Sequence, residues 1–301
     1  MKKKVGVIGL GNMGKSMAKN LLKAGFELTV FDVRPEPIEE MKGLGAYGAL
    51  SLKEVGERSD IVFVMVLNFP QVESCTVSEN GVLTGMKPGS TLIVTSTIAP
   101  SEIKQVAEVA ATKGVNTIDS PVSGGTVRAG DGSLVMMVGA PDDVYEDCKE
   151  ALFAVGSNTI RVGKEIGHGQ VVKAANQLLV SVHLVAMAEA MVLGTKAGID
   201  PEIIYEVLKK GVATSAMFES RVPLILERDF KNRGALDIQI KDLNICLTLA
   251  KELNVPIFTS AVSREVFLMA NGAGYGREDI GAIIKVYEQA AGIEVSKKKQ
   301  A

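Results

Sequence analysis

One lysine stands inside an apolar helical run. In "GHGQVVKAANQ", residues 167–177, Lys173 and Asn176 lie three apart, and the run continues as "LLVSVHLVAMAEAMVLG". Lysine is seldom kept in such surroundings, because burying an unpaired charge is costly. A spacing of three puts both side chains on one helix face. An amine and an amide on one face can hold a substrate hydroxyl between them. Taking hydride from an alcohol carbon needs a base for the hydroxyl proton, and the reverse reaction needs the matching acid. An alkylamine does both once burial or a nearby cation has lowered its pKa from about 10.4. The competing account is a surface lysine that snorkels its amine to water.

A second candidate is "DSPVSGGTVRAGDGS", residues 119–133, which is polar, holds four glycines and is expected to form a long loop. Ser123, Gly124 and Gly125 place a hydroxyl before two bare backbone amides, a turn that can form an anion-binding concavity suited to a carboxylate. An ordinary flexible connection is the alternative. Arg128 is the nearest cation, but no spacing ties it to the turn.

A third is the turn Gly9-Leu10-Gly11-Asn12-Met13-Gly14 in "VGVIGLGNMG". The G-x-G-x-x-G spacing is weak alone. Here it follows a strand pattern, opens a helix pattern, and is followed 18 residues after Gly14 by Asp32 at the end of a second strand. Gly9 permits the tight turn, Gly11 lets backbone approach a pyrophosphate, and Gly14 lets helix and strand pack closely. The helix N-terminus favours the phosphate charge. Asp32 is expected to accept hydrogen bonds from ribose hydroxyls and to repel a 2′-phosphate, which favours NAD over NADP. Arg34 can instead pair with that phosphate, so NADP stays open.

These groups need a scaffold. "KVGVIGL" (4–10), "ELTVFD" (27–32), "DIVFVMVL" (60–67), "STLIVTS" (90–96) and "VNTIDS" (115–120) read as buried strands. Helix patterns fall at 12–24, 36–43, 51–58, 69–76 and 100–113. The alternation predicts an α/β fold with a doubly wound parallel sheet, with late strands at 133–140 and 158–163. Ligands of such sheets bind outside the carboxyl ends of the strands. Leu67 and Asn68 in "LNFPQ" and Thr97 in "TSTIAPSE" sit at such ends and are candidate cofactor contacts. After Gly163 the pattern is all-helical. A long helix is predicted over 169–197, then one from Pro201 after the N-cap Asp200, one over 236–250 and one over 278–292. The expected domains are 1–163, binding a dinucleotide, and 164–301, a helical substrate and oligomerisation domain. Lys241 lies in the third of these helices. Asp237 precedes it by four, which makes a surface ion pair the plain account; facing a cleft, it can close over a cofactor. His183 is read as a core or interface residue and His168 as part of a glycine-flanked loop.

The 301 residues carry 33 basic and 35 acidic side chains, a net charge of −2, and are 47% hydrophobic. That balance excludes a general attraction to nucleic acid or an anionic membrane. The lysine runs at 2–4 and 297–299 are read as solvated ends. Three distant cysteines fit neither a disulfide framework nor metal spacing, so no metal and a reducing, cytoplasmic setting are expected. Ser181, His183 and Glu189 interrupt the long apolar helix, which is therefore read as buried rather than membrane-spanning. Its apolar surface exceeds what one small domain covers, so a homo-dimer or homo-tetramer is expected.

Taken together, "GVIGLGNMG", "STIAPSE", "DSPVSGG", "GHGQVVKAANQ" and "KDL" resemble, in order and over nearly the whole chain, the β-hydroxyacid dehydrogenases, the 3-hydroxyisobutyrate dehydrogenase-like enzymes. "SAMFESRVP" and "GREDIGAIIK" look closest to the L-threonate dehydrogenase branch. The resemblance implies a Rossmann domain, a helical domain and an oligomer built on the long helix. It implies Lys173 as catalytic acid/base, Ser123 to Gly125 as the substrate carboxylate site, Asn176 near the substrate, and Thr97 and Lys241 beside the nicotinamide. The implied reaction is hydride transfer between NAD and a small 3-hydroxy acid. The chain departs from the family at Gln177, where many members carry a second Asn. An NADPH-linked semialdehyde or glyoxylate reductase on the same fold is the enzymatic alternative. A non-catalytic dinucleotide-binding module is the other, and retention of Lys173 beside the polar loop speaks against it.

Overall fold

A computed structural model describes residues 2–297. Lys298 and Lys299 of the terminal basic run lie outside them. The chain begins with β1 (Val5–Ile8), α1 (Asn12–Lys23), β2 (Leu28–Phe31), α2 (Pro35–Gly43), β3 (Tyr47–Gly48), α3 (Leu52–Arg58), β4 (Ile61–Val64) and α4 (Phe69–Thr76). There follow β5 (Thr91–Val94), α5 (Pro100–Thr112), β6 (Asn116–Asp119), β7 (Val122–Ser123), α6 (Gly125–Asp131), β8 (Val135–Gly139), α7 (Asp142–Val155) and β9 (Asn158–Gly163). Pro35, Pro70 and Pro100 each fall in the first turn of a helix, where the missing N–H costs nothing.

The strands form one sheet in the order β3-β2-β1-β4-β5-β6-β8-β7, with β9 beside β8. Strands β1 to β6 pair in parallel. The order reverses at β1, between β2 and β4, which is the switch point where such sheets open a crevice. Along β4 the side chains alternate: Ile61 and Phe63 enter one buried cluster, Val62 and Val64 the cluster on the other face. Burial on both faces is why these strands read as unbroken apolar runs.

Several differences from the sequence reading appear. Strand β8 runs antiparallel to β6 and β7, so the far end of the sheet is mixed. The stretch expected as a loop over 119–133 holds β7 and helix α6. Helix α6 forms despite Gly125 and Gly130 because it packs on α1, where the buried Asn20 Nδ2 donates to the Ala129 carbonyl at 2.8 Å. Gly132, with φ +76, ends it in the left-handed conformation glycine tolerates. The lysines at 2–4 are not merely solvated: Lys2 pairs with Glu150 at 2.8 Å, Lys3 with Asp147, and Lys4 with Glu27 at 3.2 Å.

The second part of the chain is helical: α8 (His168–Lys196), α9 (Pro201–Lys210), α10 (Ala216–Leu226), α11 (Leu236–Leu253), α12 (Phe258–Ala270) and α13 (Ile284–Ala291). A short 3-10 turn, Ile280–Ile283, leads into α13. Helices α7, α10 and α12 were not anticipated. Helix α8 begins at His168, so this residue opens the helix rather than sitting in a loop. The chain divides into two compact units whose boundary falls within α8, between Lys173 and Ala174. The second unit has its own core, with Leu184, Met191, Phe218, Leu243 and Phe267 among its buried members. Met217 and Phe230 pack against it. By length and composition α8 could cross a membrane, and only 39% of its most apolar window is buried within the chain.

Candidate active site

In the first unit, the glycine turn leaves β1 and enters α1. Gly9 has φ +89, and a Cβ there would collide with the Met65 carbonyl. A Cβ at Gly14 would collide with the Gly9 carbonyl. Packing thus demands both glycines. Gly11 differs: a Cβ there would meet only open space, so what its bareness serves is close approach from outside. Gly11 caps α1 without a side chain, the first turn has no acidic residue, and Asn12 is exposed while Met13 is half-buried. The positive end of α1 therefore faces forward, suited to a phosphate.

Asp32 ends β2 beside this turn. Its carboxylate accepts from the Leu10 N–H at 2.7 Å and from the Arg34 N–H at 2.9 Å. Arg34 closes a fork on it, with Nε at 3.0 Å and Nη2 at 3.2 Å. Burial pushes the Asp32 carboxyl up, but the Arg34 side chain, the two N–H groups and the Arg34 charge together hold it below its ordinary value. A carboxylate at this position can accept from ribose hydroxyls, and the guanidinium is turned onto the carboxylate.

The loop after β4 carries Leu67, half-exposed, and Asn68. Asn68 Oδ1 accepts from the Gln71 N–H at 3.1 Å and caps α4, which accounts for the residue type without a ligand. Thr97, half-buried, follows β5. Next to it, Ser96 Oγ accepts from the Val66 N–H at 2.9 Å and joins the two loops.

Lys173 does not snorkel. It is 7% exposed, and its Nζ donates to the Val122 carbonyl at 2.8 Å. Val122 precedes Ser123, so the amine lies against the Ser123-Gly124-Gly125 turn. Gly124 has φ +136 and Gly125 φ +66, a pair of conformations that side chains avoid. The stem of Arg128 covers Gly124: a Cβ there would meet its Cβ and Cδ at 2.7 Å. Amine, serine hydroxyl and two bare amides are therefore gathered within one unit.

Two residues that the spacing arguments passed over hold this arrangement. Asp119, fully buried at the end of β6, accepts from the Gly167 N–H at 3.0 Å and the Gln170 N–H at 3.1 Å, and so caps α8 from another element. Burial pushes its carboxyl up to about 7, against those hydrogen bonds. Gln170, 1% exposed, donates from Nε2 to Asp119 Oδ1 at 2.9 Å and to the Ser96 carbonyl at 3.0 Å, and accepts from the Ile98 N–H at 3.2 Å. Gly139 and Gly169 let α8 come this close; a Cβ on Gly169 would meet Asp119 Oδ2 at 2.9 Å. The available signal was a carboxylate closing a strand and a glutamine directly after the glycines at 167 and 169, at a helix start.

In the second unit, Asn176 and Lys241 belong to one polar network. Asn176 Nδ2 donates to Gln177 Oε1 at 2.8 Å. Gln177 Nε2 donates to Asp242 Oδ2 at 2.5 Å and to Gln239 Oε1 at 3.1 Å. Asp242 pairs with Lys241 at 2.7 Å, while Asp237 pairs with Arg277 at 3.5 Å. Gln177, the departure from the family pattern, thus has the reach to join α8 to α11; an asparagine is shorter by one bond of about 1.5 Å.

Comparison with known proteins bears on the same residues. Residues 4–163 match the family described as the NAD binding domain of 6-phosphogluconate dehydrogenase. Residues 167–287 match the NAD-binding family of NADP-dependent 3-hydroxyisobutyrate dehydrogenase. An L-threonate dehydrogenase of Cupriavidus necator is 38% identical over 300 residues, covering 100% of both chains. A 2-(hydroxymethyl)glutarate dehydrogenase of Eubacterium barkeri is 39% identical and covers 97% of each. A 3-hydroxyisobutyrate dehydrogenase crystal structure from Salmonella typhimurium superposes with a TM-score of 0.88 at 35% identity, covering 95% of this chain and 100% of that one. With both halves matched in order and the dinucleotide turn in place, the chain belongs to the β-hydroxyacid dehydrogenase family of NAD(P)-dependent oxidoreductases, near its L-threonate dehydrogenase branch.

Proposed function

We propose that this enzyme oxidises a small 3-hydroxy acid of the L-threonate, 3-hydroxyisobutyrate or D-glycerate type with NAD, and that Lys173 is its general acid/base. One observation carries the reading: the Lys173 amine is buried and lies against the Ser123–Gly125 turn. The turn offers two amides and a hydroxyl to a substrate carboxylate. A carboxylate held there brings the 3-hydroxyl toward the amine, which takes its proton in oxidation and returns it in reduction. A bound nicotinamide supplies the hydride acceptor. Gly9 to Gly14 and Asp32 are assigned to the cofactor, with Leu67, Asn68, Thr97 and Lys241; Asn176 is assigned to the substrate hydroxyl. The Asp32–Arg34 pairing supports NAD, since Arg34 spends its charge on Asp32. Domains of 1–163 and 164–301, a cytoplasmic setting and a homo-dimer or homo-tetramer complete the proposal.

Lys173→Ala tests it. The variant is expected to lose kcat by at least ~100-fold, the scale of an acid/base group, while still binding NAD. Near-normal turnover would refute the assignment. Assaying L-threonate, D-glycerate and 3-hydroxyisobutyrate with NAD and NADP identifies the substrate and separates the dehydrogenase from an NADPH-linked reductase. NAD binding without turnover of any hydroxy acid would favour a non-catalytic dinucleotide module.

A further inference from the structure

We propose that Gln170 is a positioning residue that sets the Thr97 loop against the Lys173 turn, with its amide held in one orientation by Asp119. The proposal rests on the assignments of Lys173 and Thr97 made above.

Gln170 lies one helical turn before Lys173, so the two side chains leave the same face of α8. Its amide oxygen accepts from the N–H after Thr97, that of Ile98, at 3.2 Å. Its amide nitrogen donates to the carbonyl before Thr97, that of Ser96, at 3.0 Å. Thr97 is thereby gripped on both sides by one side chain. The second amide hydrogen goes to Asp119 Oδ1 at 2.9 Å. Both hydrogens and the oxygen are used, and the site is closed to water, since Gln170 is 1% exposed and Asp119 is fully buried.

The orientation cannot reverse at low cost. Turning the amide over would face its nitrogen to the Ile98 N–H and its oxygen to both the Ser96 carbonyl and the Asp119 carboxylate. Each mismatch leaves a buried polar group unpaired. Asp119 also accepts from the Gln170 and Gly167 N–H groups, so the same carboxylate fixes the start of the helix and the glutamine's rotation. The strand-end loop at Ser96–Ile98, the end of β6 and the first turn of α8 are locked by this one pair. Lys173 and Thr97 gain their spacing from it.

The test is Gln170→Leu in the full chain, which keeps the bulk and removes every amide hydrogen bond. On whichever of L-threonate, D-glycerate or 3-hydroxyisobutyrate the parent oxidises, kcat is expected to fall about 10- to 100-fold, the scale of a misplaced reacting group. Affinity for ADP-ribose, which lacks the nicotinamide assigned to the Thr97 loop and keeps the groups assigned to the glycine turn and Asp32, is expected to be unchanged. Hydrogen exchange should accelerate over 96–100 and not over 61–64. Asp119→Asn should act in the same direction, because its amide hydrogens face a donor. A variant with parental kcat and parental exchange at 96–100, whatever its melting temperature, would overturn the proposal. Lys173→Ala assayed alongside separates the two ideas: full activity there sinks the acid/base reading, whereas an inactive Lys173→Ala beside a fully active Gln170→Leu sinks only the clamp. If Gln170→Leu does not fold, Gln170→Met, unbranched like glutamine and equally without amide hydrogen bonds, carries the same readouts.

Discussion

Asp32 and Arg34 illustrate how one side chain decides the use of another. The guanidinium is forked onto the carboxylate, and the Leu10 N–H joins it there. Removing the carboxylate has two consequences. On the proposed assignment the ribose hydroxyls lose a charged acceptor, worth about 1.5–3 kcal/mol, so Asp32→Ala should lower kcat/KM for NAD roughly 10- to 100-fold. Arg34 is released at the same time, so kcat/KM for NADP should rise relative to NAD. Steady-state rates with each cofactor check both; an unchanged ratio would show that Arg34 has no part in the choice. Gly124 makes a second residue-level case. With φ +136 and the Arg128 stem at 2.7 Å from any added Cβ, Gly124→Ala should destabilise the turn by about 1–3 kcal/mol, measurable as a lowered melting temperature.

Among the elements, α8 depends most visibly on another for its start. Its first amides are capped by Asp119, across the β6 end, rather than by a side chain of its own. Burial raises that carboxyl from its unfolded value of 3.8 to about 7. Between those values the folded chain holds a proton that the unfolded chain has released. Stability therefore falls as pH rises from about 4 to about 7 and then levels. Asp119→Asn should remove this component from a denaturation series across that range. The sequence reading reached the apolar strands and the proline-started helices because their patterns are local. It missed α6, because Gly125 and Gly130 read as loop, and the packing on α1 through Asn20 that overrides them is 109 positions away in sequence. It singled out Lys173, the serine-glycine turn and the G-x-G-x-x-G loop through residue type and spacing, yet passed over Asp119 and Gln170. Their importance comes from burial and from partners on other elements, which no periodicity carries.

At the scale of the molecule, α8 and α9 leave large apolar side chains uncovered: Leu193 is 74% exposed, and Leu179, Ile203 and Val207 are exposed as well. Exposed apolar residues of this kind are what the proposed homo-oligomer would cover. Light scattering at micromolar concentration should report a dimer or larger, and Leu193→Asp should shift it toward the monomer; a monomeric parent would remove the oligomer from the proposal. The buried clusters bear on heat as well. Those of the sheet end at Val155 and that of the helices begins at Leu184, with no shared member. Scanning calorimetry should then resolve two endotherms rather than one, so that no single melting temperature describes the chain. ADP-ribose, whose proposed docking groups all belong to the first unit, should move one endotherm upward and leave its neighbour in place.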